Sequence, residues 1–241
     1  MARNEQRRQK KLEAKRVKRK EQSREVARAQ SMGLDGRMEL ASCWPVFQAQ
    51  VSATLWQQGI GQVVLVRRGS NGLTAIAVFL VDTYCLGVKD AFARTEPSSS
   101  AANLLSRLAE SGEGWINVTP EHVRKLVEQA IGYALSLGLA PHRDCAAAMK
   151  LFGDLDASQC KTEFTFGRDG KPCYIAGPHD SEVRVREILQ ALRETCGPDR
   201  FHYTVPLPSS DLSREMIEVL EDINPRILDL QEPDDDEESP G

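Results

Sequence analysis

What the chain lacks narrows its chemistry first. Its six cysteines, Cys43, Cys85, Cys145, Cys160, Cys173 and Cys196, contain no CxxC pair and lie 13 or more residues apart. They read as small buried hydrophobes in a reducing compartment rather than as a disulfide framework. Long apolar runs are also missing. The longest, Leu73 to Val81, falls far short of the roughly 20 residues that cross a bilayer, so no membrane span is expected. The basic start is not followed by an apolar h-region, which leaves a cytoplasmic location as the expectation. Neither GxGxxG nor GxxxxGKS/T occurs, and there is no GxSxG elbow and no HExxH pair. Asp154-Leu155-Asp156-Ala157-Ser158 offers the first, third and fifth oxygens of a calcium loop. Gln159 stands where the turn needs Gly, and Thr165 where a bidentate Glu is required, so an EF-hand is ruled out. No internal repeat is visible.

The composition, 41% apolar and 27% charged, is that of an ordinary globular protein. A net charge of −4 conceals three electrostatic segments. Residues 1 to 30 hold 12 Lys or Arg against four Glu, a balance of +8, residues 31 to 230 carry −6, and the last stretch, from Glu232, carries −6. The expected organisation is a basic arm over 1–35, a single α+β globular domain over 36–230 and an acidic, disordered tail over 231–241.

The arm has no Gly or Pro through Gln30 and is rich in helix formers, yet Leu12, Val17 and Val26 are too few to make a core-facing stripe. It is expected to be helical or disordered and solvated or partner-bound. Lys10, Lys11, Lys15, Arg16, Lys18, Arg19 and Lys20 form the electrostatic footprint of nucleic-acid binding, because each Lys or Arg that meets a phosphate releases condensed counterion. A charged arm that only aids solubility, or rests on the acidic tail, is the competing reading.

The middle of the chain alternates strand and helix signals. Val46 to Val51, Gln62 to Arg68 and Leu73 to Val81 predict an antiparallel meander. Its first strand is an edge that tolerates Pro45, Asn71-Gly72 supplies a type I′ turn, and Leu73 to Val81 is the central strand. Tyr84 to Val88 predicts a short further element, and Glu96 to Ser100 a loop before a helix over Ala101 to Ala109. Thr119 as N-cap and Pro120 at N1 open the clearest helix, with Val123, Leu126, Val127, Ala130, Ile131 and Ala134 on one face. Asp144 is expected to cap a short helix from Cys145 to Phe152. Lys161 to Ala176 predicts a second hairpin, turning at Arg168-Asp169-Gly170-Lys171 with Phe164 and Phe166 before it and Cys173 and Ile175 after. A helix from Asp180 or Ser181, a strand over Phe201 to Leu207 and a last helix from Ser210 or Asp211 follow. The fold class is therefore α+β, an antiparallel meander with a second hairpin packed against three or four amphipathic helices.

Candidate chemistry rests on few residues. Pro141-His142-Arg143-Asp144 places an imidazole near a carboxylate at a helix start, suited to a metal or to acid–base work, although an N-cap Asp with a solvent-facing His is the commoner meaning. Asp82, with Lys89 and Asp90, stands at the end of the central strand, where carboxylates serve divalent metals or proton transfer but more often only shape turns. Catalytic candidates are thus Asp82, Asp90, His142 and Asp144. A thiol–imidazole pairing of Cys85 or Cys145 with His142 or His179 is compositionally conceivable, with inert buried thiols as the default. No cofactor is specified, and the metal question is open.

The blocks VVLVRR, AVFLVDTYCLGVKDAF, AIGYALSLGLAPHRD and TEFTFGRDGKPCYIAGPHDS, in that order from about Cys43 to Pro206, resemble a group of uncharacterised bacterial proteins that often share the Lys/Arg-rich start. The resemblance implies a bacterial cytosolic protein with one domain and brings no activity with it. The leading expectation is a non-enzymatic module associated with RNA or a ribonucleoprotein through its arm. A small metal-dependent hydrolase or nuclease-like enzyme, and a module that binds another protein with solubilising tails, are the alternatives.

Overall fold

Four long antiparallel strands carry the fold in the computed structural model, which describes residues 7–17, 20, 24, 31–110 and 114–205. Strand β1 (Val46–Ser52) pairs with β2 (Ile60–Arg68), β2 with β3 (Leu73–Asp82), and β3 with β4 (Gly87–Pro97). A short β5 (Trp115–Asn117) adds to the far side of β1, giving the order β4-β3-β2-β1-β5. The expected meander is thus present. β3 is buried at nine of its ten positions, as an unbroken apolar run demands.

The two faces of the sheet are covered by different helices. On one, Val51, Val63, Leu65, Ala77 and Phe79 meet Val123, Leu126, Val127 and Ala130 of α5 (Pro120–Ser136), with α2 (Leu34–Ala41) and α6 (Cys145–Met149) completing the layer. α5 begins as its sequence predicts, because Thr119 accepts a hydrogen bond from the His122 N–H and Pro120 occupies the first turn. On the other face, Val64, Val66, Ile76 and Val78 lie under Ala101, Leu104, Leu105 and Leu108 of α4 (Ser98–Ala109). Beyond the sheet's end a second cluster joins Val185, Ile188, Leu189 and Leu192 of α7 (Glu182–Cys196) to Leu137, Leu139, Tyr174 and Cys85. The one-turn α3 (Leu55–Gln58) links β1 to β2, and residues 7–17 of the arm form helix α1, exposed throughout.

Several expectations change. The short element expected over Tyr84 to Val88 is a turn followed by an eleven-residue strand, and α4 starts at Ser98 without an intervening loop. β4 is the sheet's edge, where exposed charges at Asp90 and Arg94 discourage pairing with another chain. β1 is an edge only over its first half, since Gln50 to Ser52 pair with β5. Between β2 and β3, only Gly72 takes a positive φ, 83°. The connection is Ser70-Asn71-Gly72, closed by Gly69 N–H donating to Leu73 O at 2.9 Å, and not a two-residue type I′ turn.

The second hairpin is absent. Asp169 and Gly170 do take positive φ values of 53° and 77°, yet Arg168 and Lys171 form only an isolated bridge. Instead, β6 (Cys173–Ile175) pairs in parallel with β7 (His202–Thr204). The alternating Phe164 and Phe166 share a face as expected, but their partners are helical: Phe164 stacks on Trp56 at 5.7 Å and Phe166 on Tyr133 at 5.2 Å. A side-chain face satisfied by aromatic rings needs no strand opposite it. The expected last helix, the acidic tail, Lys18 and Arg19 lie outside the described residues.

Candidate functional site

The site begins with a fault in the ladder. Leu80 pairs with Asp90 but Val81 pairs with Val88, so Lys89 is the extra residue of a β-bulge. Bulges re-aim side chains, and this one sends the Lys89 ammonium across to Asp180, just before α7, at 3.1 Å. Asp180 Oδ2 also accepts hydrogen bonds from the Tyr174 hydroxyl at 3.1 Å and the Gly177 N–H at 2.8 Å. Burial pushes the Asp180 carboxyl up, but the Gly177 N–H and the Lys89 ammonium outweigh it and hold the group below its ordinary value. The Lys89 ammonium passes close over Gly177, where a Cβ would sit 2.9 Å from its Nζ and displace the end of the lysine side chain.

Lys89 and Asp180 form a wall between two clefts. One, of about 490 Å³, is lined by Ile60, Leu80, Asp82, Tyr84, Ile175 and His179 besides the pair itself. Its rim depends on Gly59, left-handed at φ 76°, where a Cβ would lie 2.2 Å from the Tyr84 ring. The other, of about 460 Å³, is lined by Val88, His142, Arg143 and Arg184 along with the pair.

This division separates the four carboxylate and imidazole candidates. Asp82 lies in the first cleft, buried to 7% exposure, where its Oδ1 accepts from the Tyr84 and Cys85 N–H groups at 2.8 and 2.9 Å. Burial pushes this carboxyl above its ordinary range, and the backbone N–H groups of Cys85, Tyr84 and Leu86, with the Lys89 ammonium, oppose the shift. Asp90, His142 and Asp144 gather on the other side. His142 Nδ1 is 3.5 Å from Asp90 Oδ1 and 4.0 Å from Asp144 Oδ2, and it accepts the Asp144 N–H at 3.3 Å. Asp144 does not cap α6 with its side chain, contrary to expectation, because its carboxylate leans toward His142 and Arg143 instead. Among the described residues no three His, Cys, Asp or Glu side chains are placed to hold a metal ion.

The thiols are unsuited to nucleophilic work. Burial raises Cys145 to about 11 and Cys85 further still, so neither is a thiolate at neutral pH. Cys173 lines the Asp82 cleft with His179, but it too is buried and its thiol raised, first by burial.

Sequence reasoning placed Lys89 beside Asp82 and Asp90 and read Asp180 as a helix start. It missed the pair they make, which spans 91 residues. Arg67 also went unremarked. It is buried, and its Nε, Nη1 and Nη2 donate to the carbonyls of Leu151, Trp44 and Phe152 at 2.9, 2.6 and 2.8 Å. A charged residue directly closing an apolar run was the available signal for Arg67.

Lys10, Lys11, Lys15, Arg16 and Lys20 of the arm are described and exposed. At about 100° per helical residue, Arg7, Arg8, Lys10, Lys11 and Lys15 of α1 fall within an arc of about 160°. No family model, curated protein or solved structure matches the chain.

Proposed function

We propose that the protein is a non-enzymatic module that associates with nucleic acid, RNA or a ribonucleoprotein, through its basic arm. The observation that carries this reading is the exposed helix α1, which gathers five cations on one side and buries nothing. A stripe of that kind can follow a phosphate backbone, and it confers no base preference. Residues 31 to 230 carry −6, so the arm and not the body is the phosphate-contacting part. A cytoplasmic setting belongs to the same proposal and accords with six cysteines, all of them free. The metal-dependent hydrolase reading draws no support from the geometry, since Asp82 lies across the Lys89–Asp180 wall from Asp90, His142 and Asp144.

The test is binding to single- and double-stranded RNA and DNA across a salt series, comparing the full chain with the triple variant Lys10→Glu, Lys11→Glu, Lys15→Glu. Five phosphate contacts give a slope of log affinity on log salt of about −3.5 for a single strand, and the variant should lose most of it. Equal binding by the two proteins, or none by either, removes the proposal.

A further inference from the structure

The cleft beside Lys89 has the size and the lining of a small-molecule site. Its volume of about 490 Å³ lies within the range of ligand pockets, and its walls come from separate parts of the chain: Ile60 of β2, Leu80 of β3, and Ile175 of β6. Those walls are apolar, and Ile175 is among the exposed large hydrophobics. Two carboxyls, Asp82 and Asp180, and the Lys89 ammonium line the cleft. Lys89 and Asp180 pair with each other at 3.1 Å, which leaves Asp82 as the carboxyl of the cleft that no side chain contacts as an ion pair. Among the described residues Asp82 joins no ion pair within contact distance, and its Oδ1 accepts from the Tyr84 and Cys85 N–H groups. Burial favours the neutral form of this carboxyl, and a cation entering the cleft supplies a contact counter-charge that favours the ionised form, the proton leaving to solvent.

We propose that this cleft binds a small molecule with an apolar body and one protonated amine, the amine meeting Asp82 and the body lying along Ile60, Leu80 and Ile175. An anion is the wrong complement, because it would face the Asp82 carboxyl while the one ammonium of the lining is already engaged by Asp180. The Tyr84 ring, with Arg168 already over it at 5.9 Å, forms the adjoining wall. This site is independent of the arm and stands or falls apart from nucleic-acid binding.

The experiment titrates the full chain with 2-phenylethylamine, 2-phenylethanol and 3-phenylpropionate, which share a ring and differ in head-group charge, using calorimetry and ligand-observed NMR. The amine should bind at least about tenfold more tightly than either counterpart. Asp82→Asn keeps an oxygen for the Tyr84 and Cys85 N–H groups and therefore folds; it should abolish the amine's advantage. Asp90→Asn, on the exposed edge strand, should leave the amine's affinity unchanged, and Ile175→Trp should weaken all three probes by narrowing the cleft. Equal affinities among the probes, an undiminished amine with Asp82→Asn, or no amine binding up to about 10 mM would each overturn the assignment.

Discussion

Arg67 of β2 and Lys89 of β4 are both cations on strands of the sheet, and their surroundings differ in kind. Arg67 is 4% exposed, and three carbonyls from two separate segments occupy its guanidinium donors. Burial lowers its pKa, yet the charge is retained because the fork geometry of the guanidinium matches the three acceptors. It ties the one-turn segment Lys150–Phe152 to the chain entering β1. Lys89, by contrast, sits on a bulge, faces a single carboxylate and has a cleft on either side. A buried cation enclosed by backbone carbonyls is a strut, whereas one held by a side chain at the meeting of two clefts belongs to a site.

That contrast is open to measurement. The largest effect is expected for Arg67→Met, which leaves three carbonyls facing an apolar side chain and should cost about 3–5 kcal/mol in denaturant unfolding. A loss below about 1 kcal/mol would show that the carbonyls find other donors and that Arg67 is no strut. Lys89→Met should cost less, about 1–2 kcal/mol, because the Lys89 side chain is 23% exposed and Asp180 keeps its bonds to Tyr174 and Gly177. A double-mutant cycle with Asp180→Asn checks that the loss resides in the pair.

A pH series sharpens the comparison further. Burial holds Asp82 above its ordinary value of 3.8, so the folded protein binds this proton more tightly than the unfolded chain. The stability Asp82 contributes is complete below 3.8 and is lost as pH rises through the raised folded value. Asp82→Asn should therefore gain on the parent protein across that window, with a constant difference above it. A difference that does not vary with pH would mean that the carboxyl titrates normally. The smallest effect belongs to Asp144→Ala, expected within about 0.5 kcal/mol because its side chain caps nothing, against about 1 kcal/mol for Ser181→Ala, whose hydroxyl accepts the Arg184 N–H. Thermal unfolding of the two variants side by side decides it.

The elements most legible in the sequence were those specified within a few residues. Thr119-Pro120 marks the start of α5 because capping needs only a hydroxyl and the next turn of backbone, and the apolar run of β3 marks a strand covered on both faces. The Asp169-Gly170 turn was legible for the same reason. The pairing expected around it was not, since the choice between a strand and the rings of Trp56 and Tyr133 as partner for Phe164 and Phe166 is made by α3 and α5, distant in sequence. The candidate site was legible in part. His142 with Asp144 and Asp82 with Lys89 were singled out from neighbouring positions, but Asp180, the partner that organises Lys89, carried no local mark beyond the start of a helix.

The amino-acid sequence by itself determined the α+β class, the three-strand meander, the capped helix α5 and a basic arm without a core-facing stripe, because periodicity, capping and charge act over one or two turns of chain. Tertiary structure alone decided that β4 runs on as the edge, that β6 pairs in parallel with β7, and that Lys89 leaves the ladder to meet a carboxylate 91 residues away. Those outcomes depend on which surfaces remain unfilled once the sheet and its helices have packed. Asp82 shows the two levels at one residue: its backbone hydrogen bonds are local, and its burial against the cleft is not.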